Sequence, residues 1–168
     1  GRLNGPGLRE GLVPRPATYH DGKQLCAEGL RTQKLITLYS RYKYLVMAHH
    51  LPGYKALGKL LADPGAVPLT SLASAFIAGL MHALSHRATL RSHTNVLFHL
   101  SGYLKRSVPA EERQRLKDLI EQYRLGQIPL VVPLTMLKHH FANNPNAYID
   151  SQVFMSPYPD ELKLRNLL

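Results

Sequence analysis

Pro68-Leu-Thr-Ser-Leu-Ala-Ser-Ala-Phe-Ile-Ala-Gly-Leu-Met-His-Ala-Leu-Ser85 sets Leu69, Leu72, Ala73, Phe76, Ile77, Leu80 and Leu84 at steps of three and four. That spacing puts them on one face of an α-helix. Ala75, Ala78 and Gly79 are small enough to admit close neighbours. The stretch therefore predicts a helix over 68–85, central in the core.

The same period extends in both directions. Upstream, Leu35, Leu38, Tyr42, Leu45 and His49 form a stripe, with Arg41, Lys43 and Tyr44 outside it, and Pro52 closes that helix. A short amphipathic helix follows, with Tyr54, Leu57, Leu60 and Leu61 inward and Lys55 and Lys59 outward, before the turn at Asp63-Pro64-Gly65. Downstream, Arg87 to Leu90 is a link, and 91–106 resumes helical period through Val96, Leu97, Leu100 and Leu104. Pro109 suits the first position of another helix, where its missing N–H has no intrahelical partner to lose. Glu111 and Glu112 favour that helix's positive end, Leu116, Leu119, Ile120 and Tyr123 are its buried side, and Gly126 ends it.

Ile128 to Pro133 holds two prolines and reads as a buried, extended link, with Pro133 starting the next helix through Leu134, Leu137 and Phe141. Asn143-Asn144-Pro145 stops it, and a last short helix carries Tyr148, Gln152 and Val153 before the turn at Ser156 to Pro159. No strand pattern and no internal repeat interrupt this reading. The expectation is an all-α fold: a compact multi-helix domain over 31–168, behind an irregular arm or linker over 1–30 that holds Pro6, Pro14 and Pro16.

Charge narrows the function. The 168 residues contain 21 Lys and Arg against 11 Asp and Glu, a formal charge of +10, with nine His in addition. Such a surface attracts polyanions. No apolar run reaches the length of a membrane span and no signal-peptide pattern opens the chain, so a cytoplasmic location with no membrane partner is expected. Cys26 is the single cysteine. It excludes an internal disulfide, and equally a cysteine-held zinc or iron–sulfur centre built by this chain alone, so no cofactor is expected in the chain itself. The first residue is Gly1, which suits a piece of a longer protein with a partner domain upstream.

Candidate contact residues concentrate in three places. Asn95, His99, Gly102 and Arg106 follow helical spacing on one side of a polar stretch that also holds Arg91, where a glycine gap and a cation suit a phosphate; Asn95 and His99 are equally readable as core polars tying helices together. Lys138, His139 and His140 form a second basic cluster, and Arg41, Lys43, His49 and His50 a third. If the helices bring these into one groove, it would track a phosphate backbone. Tyr39, Tyr42, Tyr44, Tyr54 and Tyr103 offer stacking surfaces for unpaired bases, of which only one or two are expected to face RNA, the others being core or half-buried packing. His82 and His86 lie four apart, but Ala83 stands where a zinc-protease helix needs Glu, so they read as a solvated helix end. His49, on an apolar stripe, reads as a satisfied core histidine. No Ser-His-Asp or Cys-His arrangement can be singled out.

Several motifs together resemble the YbgA-like family, a domain found alone or fused behind a thiouracil-desulfurase-like domain. They are Lys43-Tyr44-Leu-Val-Met-Ala48-His49, Tyr54 with Leu57-Gly58, His93-Thr-Asn95-Val-Leu-Phe-His99 with Gly102-Tyr103, and Ile120-Glu-Gln-Tyr123-Arg-Leu-Gly126. The run Pro129 to His140, Tyr148, Gln152, Pro157 and Leu164-Arg165-Asn166 complete the match, from about Leu35 to the C-terminus. The opening Gly1-Arg2-Leu3-Asn4 with Leu8-Arg9-Glu10 is similar to the seam that follows the desulfurase-like domain in the fused proteins. The resemblance implies an iron–sulfur cluster and sulfur removal in a fused or partner desulfurase domain, with this chain as its RNA-gripping, tRNA-binding half. For RNA binding, the contact residues expected from the basic clusters and the polar stretch are Arg41, Lys43, Arg91, Asn95, His99, Tyr103, Arg106, Lys138 and His139. A stand-alone enzyme using the His/Asn-lined stretch and a protein–protein docking domain are the alternatives.

Overall fold

The computed structural model describes Asp21 and residues 29–155. Most of the arm expected over 1–30, Cys26 and the turn expected at Ser156 to Pro159 lie outside the described residues. Within them the chain forms seven α-helices and no strand: α1 (Thr32–His49), α2 (Leu51–Ala62), α3 (Leu69–Ser85), α4 (Leu90–Gly102), α5 (Ala110–Arg124), α6 (Val131–Asn143) and α7 (Ala147–Asp150), followed by a 3₁₀ turn at Val153–Met155. The fold is all-α, as the periodicity requires.

The core is organised around α1, which packs against α2, α3, α4 and the C-terminal 3₁₀ turn, while α5 and α6 pack on α4 and on each other. The centre thus falls one hairpin earlier than the apolar content of 68–85 suggested. Surrounded on several sides, α1 buries every residue from Tyr44 to His49, so Tyr44, expected outside the stripe, is only 5 % exposed. In α3 the stripe Leu72, Phe76, Leu80 and Leu84 is buried as its spacing demands, each such side chain contributing about 1.5–3 kcal/mol. Ala75 and Ala78, however, face solvent.

Local signals explain the helix ends. Thr89 and Ser92 cap α4 reciprocally, the Thr89 Oγ1 accepting from the Ser92 N–H at 3.1 Å and the Ser92 Oγ from the Thr89 N–H at 2.8 Å. At the other end of the hairpin, Gly126 takes φ +75° while Gln127 N–H reaches Gln122 O and Gly126 N–H reaches Tyr123 O, each at 2.9 Å, a paired closure that satisfies the last carbonyls of α5. The link read as extended over Ile128 to Pro133 is shorter than that. The helix begins at Val131, with Pro133 in its first turn, where no intrahelical acceptor is needed, and Val131 and Val132 are exposed rather than buried.

Two glycines let helices meet closely. A methyl group at Gly53 would lie 2.8 Å from the Ala83 Cβ and 2.8 Å from the His50 Nδ1, and one at Gly79 would meet Leu57 at 3.0 Å. Gly53→Ala, a change that ordinarily stabilises a helix by up to about 1 kcal/mol, should here destabilise the protein by about 1–3 kcal/mol, because backbone-anchored atoms must separate. Urea unfolding measures it, and equal or higher stability would show that α2 and α3 part freely. Among the described residues no single helix is long and apolar enough to cross a membrane; α3 and α4 reach that length only as a pair bent by 116°.

Candidate functional site

Helical spacing places Tyr39, Lys43 and Tyr44 along α1, and the fold brings Tyr54 of α2, Tyr103 just after α4 and Tyr148 of α7 to the same region. The Tyr39 hydroxyl donates to the Tyr54 carbonyl at 2.7 Å, and its ring packs edge-on against Phe76. The Lys43 ammonium sits 5.9 Å from the Tyr54 ring centroid, within range of a cation–π attraction. The Tyr44 and Tyr103 hydroxyls are 3.1 Å apart, and both rings contact Tyr148, with centroids at 6.2 and 6.1 Å. Gln152, 2 % exposed, fixes this corner: its Nε2 donates to the Ser40 carbonyl at 2.6 Å and to the Tyr148 carbonyl at 3.4 Å.

Burial pushes the phenols of Tyr39, Tyr44 and Tyr148 above their ordinary range; the bond to Tyr103 adds to this at Tyr44, while at Tyr148 burial prevails over the downward pull of Lys43. All three stay neutral hydroxyls at physiological pH. Tyr103 is 44 % exposed, and Lys43, Tyr54 and Tyr148 are half-buried, so the cluster shows solvent an aromatic face edged by a cation.

Basic residues outnumber acidic ones in the chain that builds most of this cluster, while Asp150 lies two positions after Tyr148 on α7. Between residues 32 and 110 Asp63 is the sole acidic residue, against nine Lys and Arg. The acids of α5 are engaged nearby: Glu111 with Arg115 and Glu121 with Arg124, each at 2.7 Å, and Glu112 3.8 Å from the His140 ring.

Of the residues proposed from sequence, the structure joins Lys43 and Tyr103 through the tyrosine cluster. Asn95 and His99 are exposed on α4, so they do not tie helices together; the buried polar residues of that helix are His93 and Thr94, bonded to the Tyr123 hydroxyl at 3.0 Å and the Leu90 carbonyl at 2.7 Å. Arg91 is exposed in the first turn of α4. Arg106 is exposed in the irregular turn after Gly102, where the helix ends four residues earlier than its period suggested. Arg41 is exposed on α1, two positions from Lys43 and so on another side of the helix. Lys138 and His139 lie on α6, which packs on α4 and α5, and His139 borders an apolar recess with Leu119, Val131, Val132 and Met136.

The histidines of the α1–α2 and α3–α4 junctions gather in one place. His49 is buried with its Nδ1 2.7 Å from the His86 carbonyl, a satisfied core group, and burial holds its pKa below the usual value. His50 stacks on His86 at 3.7 Å while its Nδ1 accepts from the Gly53 N–H, and His82 meets both rings edge-on. Among the described residues no group of three or more His, Cys, Asp or Glu side chains is arranged to hold a metal ion.

Sequence reading missed Tyr148 as a member of the aromatic cluster, because its partners are about 45 and 104 positions away in the chain. It also missed Phe98, which is 36 % exposed. Here a signal existed: Phe98 falls off the stripe made by Val96, Leu97, Leu100 and Leu104.

Residues 43–159 match the family model described as a protein of unknown function, DUF1722. The chain is 36 % identical over 148 residues to the uncharacterized protein YbgA of Escherichia coli (strain K12), covering 88 % of each chain. No solved structure matches. The match covers Lys43, Tyr44, Tyr54, Tyr103 and Tyr148 of the aromatic face, and it shows that this chain belongs to the DUF1722 family, to which its YbgA-like motifs pointed.

Proposed function

We propose that this chain is an RNA-binding domain whose natural ligand is tRNA, acting beside a cytoplasmic thiouracil-desulfurase-like domain that carries the iron–sulfur cluster and the sulfur chemistry. The observation that carries the reading is the Tyr103–Tyr148–Tyr54 surface with Lys43 at its edge, of which Lys43, Tyr54 and Tyr103 come from a stretch of chain, 32–110, that holds one acid. Flat rings accept unpaired bases of any sequence, and cations beside them hold the connecting phosphates. Asn95 and His99, outward on α4, add hydrogen-bonding groups along the helix that leads to Tyr103.

The docking alternative keeps one specific observation in its favour, the exposed apolar recess of α5 and α6 around Val131, itself 62 % exposed. A partner domain seated there would leave the tyrosine face open.

Titrating the chain with tRNA, duplex DNA and single strands over a range of salt tests the reading. Affinity should fall steeply with salt. Tyr103→Ala should weaken tRNA binding roughly tenfold with little change of salt slope, Tyr103→Phe should restore it, and Lys43→Gln should flatten the slope by about one unit. Salt-insensitive binding, or a Tyr103→Ala protein that binds as the parent does, removes the tyrosine face from the function.

A further inference from the structure

Next to Tyr103 in the chain, α4, the turn that follows it and α5 enclose a recess of about 310 Å³ lined by Phe98, Ser101, Gly102, Lys105, Arg113, Leu116 and Lys117. Its lining includes three cations and no acid. Among the described residues none of the three is in an ion pair: the carboxylates of the neighbouring turns are taken by Arg115, Arg124, His140 and Gln114. Leu116 is buried and closes the bottom, and the partly exposed Phe98 ring forms an apolar side. Arg113 is held in place, its Nε–H donating to the Val108 carbonyl at 3.1 Å, so its guanidinium needs little ordering to meet a ligand. Gly102 lines the recess, and a Cβ there would meet nothing within 4 Å, so the position has room for a larger side chain.

We propose that this recess seats a single nucleotide, with the base against Phe98 and the phosphate among Lys105, Arg113 and Lys117. The chemistry selects the ligand class: three cations demand an anion, and an exposed aromatic ring demands a flat partner. A phosphorylated nucleoside carries both in one small unit. The volume lies at the lower end of small-ligand sites, about 300–1,000 Å³, which suits one extruded nucleotide and not a base-paired stem. The inference takes its ligand class from the RNA-binding reading and gives that reading a second, separate point of grip.

The test uses the full chain in ¹H–¹⁵N NMR titrations with 5′-UMP, with uridine and with inorganic phosphate, and in parallel tRNA binding. 5′-UMP should shift amides of residues 98–105 and 113–117, and more strongly than uridine or phosphate at the same concentration. Gly102→Phe, a large side chain placed at the recess, should abolish those shifts and weaken tRNA binding roughly tenfold, the loss of one stacked base, with the salt slope flattened because the phosphate leaves its cations as well. Lys117→Gln should flatten the slope by about one unit. A thermal melt confirms that each variant is folded. If 5′-UMP shifts nothing in the recess, or shifts it equally in Gly102→Phe, the nucleotide site is wrong, whether or not tRNA binds elsewhere. If 5′-UMP binds in the recess and Gly102→Phe blocks it while the parent ignores tRNA, the recess is a site for free nucleotides and the RNA-binding reading is the one that fails.

Discussion

Taken from pH 7.5 to pH 5, the protein should lose about 2 kcal/mol of stability through His93 alone. Its ring is 5 % exposed, against the Tyr123 hydroxyl and near the Phe154 ring, and burial, with a smaller push from His49, lowers its pKa from 6.5 to about 4. Because the folded chain refuses the proton that the unfolded chain accepts below about 6.5, the stability held at neutral pH declines as pH falls through 6.5. The decline is complete near pH 4, at a total of about 3 kcal/mol. His49 and His50, both lowered with burial as the leading cause, act in the same direction. Denaturant unfolding at the two pH values measures the loss. His93→Gln, which keeps an amide for Tyr123 and removes the titration, should be less stable than the parent at pH 7.5 yet markedly less sensitive to acid. Equal acid sensitivity in parent and variant would place the titrating group elsewhere.

Replacing Lys43, Arg91 and Arg106 together by Gln should cost on the order of a hundredfold in tRNA affinity at 0.1 M salt, since each counterion released there contributes about 1 kcal/mol. The slope of log affinity against log salt should flatten by two to three units. Stability should hardly move, because the three side chains are exposed or half-buried and lie away from the core. A folded triple variant with the parent's affinity and slope would mean that these cations serve solubility and that RNA is not the ligand of this face.

What the sequence made legible follows from the range of the interactions involved. Helices announce themselves through contacts three and four residues apart, so the stripes of α3 and α4 and the closure at Gly126 could be read directly. Tyr44 could not: it lies off the α1 stripe, and what buries it are Tyr103, Tyr148 and Gln152, residues 59 to 108 positions away. The exposed Val131 and Val132 misled for the opposite reason, because an apolar run implies burial only where something covers it. For the same reason the contact residues divided as they did. Lys43 and Tyr103 join one cluster only because α1 and α4 pack together, which neither local motif encodes, whereas Lys138 and His139 travel with α6 to the α4–α5 side.

The bond from Gln152 to the Ser40 carbonyl spans 112 residues. During synthesis α1 leaves the ribosome well before the segment that seals its Tyr44 corner, which follows 112 residues later; at about 5–20 residues per second this leaves the apolar flank of α1 without that cover for roughly 6–20 s. The nascent chain must spend that interval sheltered by its other helices or by a chaperone, and truncation just before Tyr148 should yield a product that is captured or degraded instead of released as a folded domain.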